Sequence, residues 1–279
     1  MIRAVAIGLL AIGSPSLAQN ADDWDLRRDA NSELVVAYSA FDNGLAIGAR
    51  CSHGTYQVAI AGLPETTEDT RTLRIGFAGE TVEDQTWYVA TDPGTAVSSY
   101  PAPFARKLRE GGRMDVVVPG AGEGGRNLRY VLNLPVSSRA IDESLAACGR
   151  ALVDPRDAEL EGFEEDGLPA GIDWSIAPRP QFPAAALGNG FATLTCLTQA
   201  DGRLRDCVVE AEYPLRAGFG RAALRSMGRA RLQNTDDPTR PTPVRMIGFI
   251  LTFCIDGYCP GQRRELPTGS RLPVTSPDG

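Results

Sequence analysis

The chain has one lysine (Lys107) and one histidine (His53) in 279 residues. A lone imidazole leaves no second histidine for a metal cluster, and no Cys-x-x-Cys occurs, so a zinc site of ordinary spacing has no support. No Gly-x-Ser-x-Gly elbow occurs either, which removes a frequent hydrolase signature. Cationic charge is almost all arginine and is outnumbered: the net charge is −7. Nucleic acid is therefore not an expected partner. Beyond the N-terminus, no apolar run approaches the roughly 20 residues that a membrane-spanning helix needs.

The first residues, MIRAVAIGLLAIGSPSLAQ, place Arg3 before an apolar run from Ala4 to Ile12. Ser16 and Ala18 precede Gln19 with the small-residue spacing of a signal-peptidase site. Residues 1–18 are expected to be a cleaved secretion signal, with an uncleaved anchor as the second reading. The mature chain then carries a charge of −8 in about 260 residues, enough for one large domain or two modest ones. Export puts the six cysteines in an oxidising space, where disulfides are the default. The expected compartment is the periplasm, with no stable membrane span in the mature chain.

Residues 22–150 read as a β-rich domain. Leu45, Ile47, Ala49 and Cys51 alternate with small or polar residues, and Tyr56, Val58 and Ile60 alternate beyond His53-Gly54. This is a hairpin with one buried face, and it makes His53 a turn residue rather than a catalytic base. Leu73-Ile75-Phe77, Trp87-Val89, Met114-Val116-Val118 and Leu128-Tyr130-Leu132-Leu134 continue the pattern, as in a sandwich. Two short helices are expected. One is PAPFARKLREGG, with Phe104 and Leu108 four apart; the other starts near Ser138 and aligns Ile141, Leu145 and Cys148. Cys51 and Cys148 then both point inward and are expected to pair. A loop that long contributes about 4–5 kcal/mol in the chain-entropy model. The spacing Gly120-Ala-Gly122-Glu-Gly-Gly125 matches a dinucleotide fingerprint, but an alternating segment follows it instead of a helix, so it reads as a hairpin loop.

Residues 151–177 hold eight acidic residues and one arginine and read as an acidic linker. Residues 260–279 are rich in Pro, Gly and Ser and are expected to be a disordered tail.

Between them, residues 178–259 carry the most specific pattern. GFATLTCLT and RLRDCVVEA flank Asp201-Gly202, a strong hairpin signal. Cys196 and Cys207 are equidistant from that dipeptide, hence cross-strand neighbours and a staple of about 3 kcal/mol. Cys254 and Cys259 repeat the device around Asp256-Gly257, although an exchange of partners among these four cysteines stays open. A helix is expected next, with Phe219, Ala222, Ala223, Ser226, Met227 and Ala230 on one face. Arg221, Arg225 and Arg229 lie four apart on another, a face for an acidic partner or simply a solvated one. PTPVRMIGFILTFC closes the region as a long last strand. Its two faces, one with Met246 and Ile250 and the other with Ile247, Phe249, Leu251 and Phe253, are both apolar.

The stretch from Pro180 to Phe253 resembles the TonB C-terminal domain family. The features that carry it are Pro180, Pro183 and Ala186; Gly190-Phe-Ala-Thr-Leu-Thr-Cys; Asp201-Gly202; the Cys207 strand; Pro214; Gly218-Phe219-Gly220-Arg221-Ala222-Ala223-Leu224; and Pro243-Val244. Paired cysteines resemble a variant within that family. The match spans about a quarter of the chain. It implies a small sheet against helices whose last strand takes up an extended segment of an outer-membrane receptor by β-augmentation. The implied edge comprises Val244, Arg245, Met246, Ile247, Phe249, Ile250 and Leu251. Energy-transducing members keep a membrane anchor and a long proline-rich span, both missing from this reading.

The expected fold class is thus α+β: a sandwich-like β-rich N-terminal domain with two short helices, then a two-layer strand-strand-helix-strand domain. The expected function is non-catalytic protein binding, to a receptor segment or to a second copy, with no cofactor and no metal. The alternatives are a membrane-anchored energy transducer and a hydrolase with its site in the N-terminal domain.

Overall fold

The computed structural model describes residues 23–160 and 168–255. The signal segment 1–18, the tail 260–279 and the middle of the acidic segment lie outside the described residues. Most regular structure is β, with three α-helices among the described residues.

The first part runs β1 (Asp25–Asp29), β2 (Leu34–Ala40), β3 (Ala46–Ser52), β4 (Thr55–Ala61), β5 (Thr70–Phe77), β6 (Glu83–Val89), β7 (Ala96–Ser98), α1 (Pro101–Leu108), β8 (Gly112–Val118), β9 (Leu128–Leu134) and α2 (Arg139–Ala147). The nine strands form one antiparallel sheet in the order β1-β2-β3-β4-β7-β6-β5-β8-β9. This corrects the two-sheet, sandwich-like expectation: every strand is hydrogen-bonded to the next. The sheet curls, since Asn43 in the β2–β3 turn donates to the Val131 carbonyl on β9 at 3.1 Å. Curling lets one face supply one core. Ile47, Tyr56, Leu73, Trp87, Met114 and Leu132 share it with Phe104 and Leu108 of α1 and Ile141 and Leu145 of α2. The alternation of apolar residues along β3, β4 and β8 is the reason they lie on that face. Burial pushes the Tyr56 phenol up, against the opposing hydrogen bond from Ser144 of α2. The strands β1, β2 and β7 carry no clear alternation and pair by position.

Gly120–Gly125 is the β8–β9 loop, with a 3-10 turn at Glu123–Gly125. His53 sits in the β3–β4 turn at positive φ and faces Glu33 at 3.3 Å. Cys51 on β3 is bonded to Cys148, the residue that closes α2, with Cα atoms 5.4 Å apart.

The acidic segment includes regular structure among its described residues. It holds a 3-10 turn at Pro155–Leu160 and strand β10 (Ile172–Ile176). Two of its carboxylates are neutralised by arginines: Asp157 receives both arms of Arg106 at 2.5 and 2.6 Å, and Asp154 pairs with Arg156. Charge composition alone suggested a solvated spacer; a bidentate partner on α1 decides otherwise.

The remainder runs β11 (Gly190–Thr198), β12 (Leu204–Tyr213), α3 (Phe219–Ser226), β13 (Arg231–Asn234) and β14 (Met246–Phe253). Strands order as β12-β11-β14, all antiparallel, and β13 pairs with β10 in a separate ribbon. That ribbon was not expected. It covers the same face of the three-stranded sheet as α3: Ile172, Leu232, Phe219 and Met227 share a core with Leu194, Ile247 and Phe249.

Candidate functional site

The centre of interest is the three-stranded sheet, beginning with its hairpin. Asp201-Gly202 does turn the chain, but not as a two-residue loop. Gln199 and Arg203 close it, with Gln199 N–H donating to the Arg203 carbonyl at 2.8 Å, so three residues lie between them. Gly202 takes φ +76, as a three-residue loop requires. A Cβ there would lie 2.1 Å from the Leu232 carbonyl oxygen. The three-residue loop offsets the register by one, and an irregularity at Asp206, itself at φ +50, restores it. Cys196 and Cys207 therefore still meet, bonded with Cα atoms 4.1 Å apart. Cys254 is also in a disulfide; its expected partner Cys259 lies outside the described residues.

Helix α3 lies close to the sheet because small residues let it. A Cβ on Gly220 would meet Val209 at 2.7 Å, and one on Gly190 would meet the Phe219 ring at 2.2 Å. Glu212 on β12 secures the helix start, accepting from the N–H groups of Arg216 and Gly220, each at 2.8 Å. The α-helix is shorter than its periodicity suggests. It ends at Ser226 and passes into a 3-10 turn at Met227–Arg229. Arg221 and Arg225 thus project from the helix and Arg229 from the turn that follows, all three exposed.

Strand β14 is the outer strand of the sheet, hydrogen-bonded to β11 on one side. Val244 and Arg245, expected to belong to it, precede it. The Thr198 hydroxyl accepts from the Arg245 N–H at 2.9 Å, in place of a ladder carbonyl, and Pro241 and Pro243 keep the approach irregular. Alternation in an antiparallel ladder turns the backbone groups of Ile247, Phe249, Leu251 and Phe253 toward β11. Those of Gly248, Ile250 and Thr252 turn outward, and no strand among the described residues lies opposite them. The 155–160 turn, held by Arg106, runs alongside β14.

Both faces of β14 are covered by this chain. Ile247, Phe249 and Phe253 pack beneath α3 and the β10–β13 ribbon, where Trp174 meets Phe249 edge-on at 5.1 Å. The opposite face, with Met246 and Ile250, meets the nine-stranded sheet. Tyr88 of β6 stacks on Phe191 of β11, and Ala211, Tyr213 and Ile250 complete the cluster. Around it, Gln57 Nε2 donates to the Glu212 carbonyl at 3.2 Å, and Thr91 N–H donates to the Tyr213 hydroxyl at 2.8 Å. Arg150, two residues past the Cys148 disulfide, reaches Glu210 at 3.0 Å and the Val209 carbonyl at 2.8 Å. Glu210 in turn accepts from the Thr195 hydroxyl at 2.6 Å. Burial pushes the Tyr88 phenol up to about 12, opposed by its hydrogen bond with Thr252. Tyr100 is raised as well, by burial first and then by Tyr88 and Glu210.

This junction was not legible in the sequence. The phenylalanine and tyrosine residues that make it look like any other strand residues, and nothing local marks them as partners.

Among the described residues, no three His, Cys, Asp or Glu side chains gather into a metal-binding set, and no helix is long and apolar enough to cross a membrane. A crevice between Ile172, Thr198, Thr242 and Ile247 is too narrow to admit water. No family model, no curated protein and no solved structure matches the chain. The disulfides Cys51–Cys148 and Cys196–Cys207 are those of a chain that folds outside the cytoplasm.

Proposed function

We propose that this is a periplasmic, non-catalytic protein-binding molecule that takes up an extended segment of another protein along β14. The reading keeps the two-domain division at the acidic segment and the resemblance of residues 180–253 to the TonB C-terminal domain. The observation that carries it is the state of β14: its two faces are occupied, and among the described residues no strand lies beside its outer edge. An edge of this kind offers backbone N–H and C=O groups in register for a foreign strand. The outward groups of Gly248, Ile250 and Thr252 would form that ladder.

Covered faces also weigh against self-association through the sheet, because a second copy would have to displace the nine-stranded sheet. Binding to an outer-membrane receptor segment is the preferred form. Energy transduction is disfavoured, since a chain released from the membrane has no motor to pull on. The 155–160 turn lies against the same strand, so the partner would compete with it.

The test uses the mature, disulfide-intact chain and synthetic peptides from receptor N-termini. Hydrogen exchange at Gly248, Ile250 and Thr252 is expected to slow when peptide binds. Thr252→Pro deletes one outward N–H and leaves the β11 ladder intact, but it also removes the hydroxyl bonded to Tyr88. Thr252→Val removes the hydroxyl alone, and only the proline variant is expected to weaken binding. Absence of any peptide binding up to about 500 μM, near the weakest useful affinity, rejects the proposal. The anchored alternative is rejected by an intact mass that starts at Gln19.

A further inference from the structure

Residues 213–235 contain no aspartate or glutamate and five arginines, in a chain with a net charge of −7. Several arginines elsewhere have carboxylates: Arg74 has Asp84, Arg106 has Asp157, Arg109 has Asp142, and Arg113 and Arg129 share Asp115. Others, such as Arg50 and Arg71, donate to neutral oxygens. The side chains of Arg216, Arg221, Arg225 and Arg229 have no carboxylate within ion-pair distance among the described residues, and all four are exposed. The buried face of α3 is what holds them outward: Phe219, Ala222, Ala223 and Met227 are packed on β11 and β12, so the arginines have no alternative direction. Like charges one turn apart oppose helix formation, and this helix tolerates them through its tertiary packing.

We propose that the outer face of α3 and the following turn is a docking surface for an acidic polypeptide in extended conformation. Arg221 and Arg225 are about 6 Å apart along the helix axis at 1.5 Å per residue, and the 3-10 turn carries Arg229 slightly further. Alternate residues of an extended chain are separated by about 6.6 Å. A segment with carboxylates at every second position therefore meets successive guanidinium groups, each able to bind a carboxylate through two N–H donors. The alternative occupant is an anionic bilayer. It is disfavoured because the whole chain is acidic and because none of the large exposed apolar side chains lies on α3 to anchor in lipid. This surface is distinct from the β14 edge: α3 rests on β11 and β12, whereas β14 borders the 155–160 turn.

The experiment titrates the full mature chain into a fluorescein-labelled nonapeptide with Glu at alternate positions and Ser between. A Gln-for-Glu peptide and vesicles of phosphatidylglycerol serve as comparisons. The Glu peptide is expected to bind in low salt and to weaken as salt rises. Arg221→Gln/Arg225→Gln/Arg229→Gln, with unchanged circular dichroism and Tm, is expected to lose at least about tenfold in affinity. Thr252→Pro is expected to bind the Glu peptide as the parent does. The proposal is overturned by equal affinity in the triple variant, by no Glu-peptide binding at about 1 mM, by preference for vesicles over peptide, or by loss of binding in Thr252→Pro.

Discussion

Tyr88 and Phe191 lie ring on ring, with centroids 3.5 Å apart and planes 15° from parallel. One belongs to the nine-stranded sheet and the other to the central strand of the three-stranded sheet. Their contact sets the orientation of β14, because β11 carries Phe191 on one side and pairs with β14 along its edge. Phe191 is fully buried. Phe191→Ala is expected to cost about 3–5 kcal/mol and to split denaturant unfolding into two transitions, followed by fluorescence and circular dichroism together. A single coincident transition with unchanged midpoint would show that the stack is not what joins the sheets.

Arg150 and Glu210 hold the same junction by charge. Arg150→Ala leaves a mostly buried carboxylate without its cation and is expected to cost about 3 kcal/mol. Glu210→Gln keeps a hydrogen-bond acceptor for Arg150 and should cost less. The comparison is read from urea midpoints, and a larger loss in Glu210→Gln contradicts it.

Gly190 lies under Phe219. Its substitution by Ala puts a methyl 2.2 Å from the ring and 2.4 Å from the Tyr213 carbonyl oxygen. Because one obstacle is backbone, relaxation is limited, and a loss of about 2–3 kcal/mol is expected. Thermal melting of the variant decides it.

The two disulfides should differ in effect. Cys51→Ser/Cys148→Ser opens a loop of 97 residues and is expected to cost about 4–5 kcal/mol. Cys196→Ser/Cys207→Ser opens a separation of 11 residues and is expected to cost about 3 kcal/mol. The first pair also positions Arg150, so its loss should loosen the junction, read as faster amide exchange at Val209 and Glu210. Equal exchange in both variants contradicts that link.

Alkaline pH should open the molecule. Tyr56, Tyr88 and Tyr100 are all held neutral by burial, Tyr88 up to about 12. Unfolded tyrosine ionises near pH 10, at about its model value. Stability contributed by these phenols is complete below that point and is lost as pH rises toward the folded-state values. Tyrosinate absorbance is therefore expected to rise together with loss of tertiary signal between about pH 10 and 12. Free titration of all the tyrosines near pH 10 in a folded molecule would contradict this.

Local pattern accounted for a large part of the architecture. The alternation at Leu45–Cys51 and Tyr56–Ile60 and the helical spacing of Ile141 and Leu145 each describe one face of one element, and burial follows directly. The missed elements have a common cause. β10 lies in an acidic stretch, and β13 is four residues long; both form because a neighbouring strand is available, which no local preference records. The single nine-stranded sheet is hidden from the sequence for a similar reason. Alternation says that a strand has an inner face, but a curled single sheet and two stacked sheets present the same alternation.

The chain's own residue order determined the cysteine staple at Cys196 and Cys207, the turn at Gly202, the two apolar faces of β14 and the run of arginines on α3. These depend on neighbours a few residues apart, where covalent geometry limits the possibilities. Only the tertiary structure decided what covers each face. Hydrophobic burial is non-directional, so an apolar strand face specifies that it must leave water but not which surface receives it. Tyr88 meeting Phe191 from 103 positions away resolved that choice, making an apolar face an internal contact and leaving the edge of β14 with no strand beside it among the described residues.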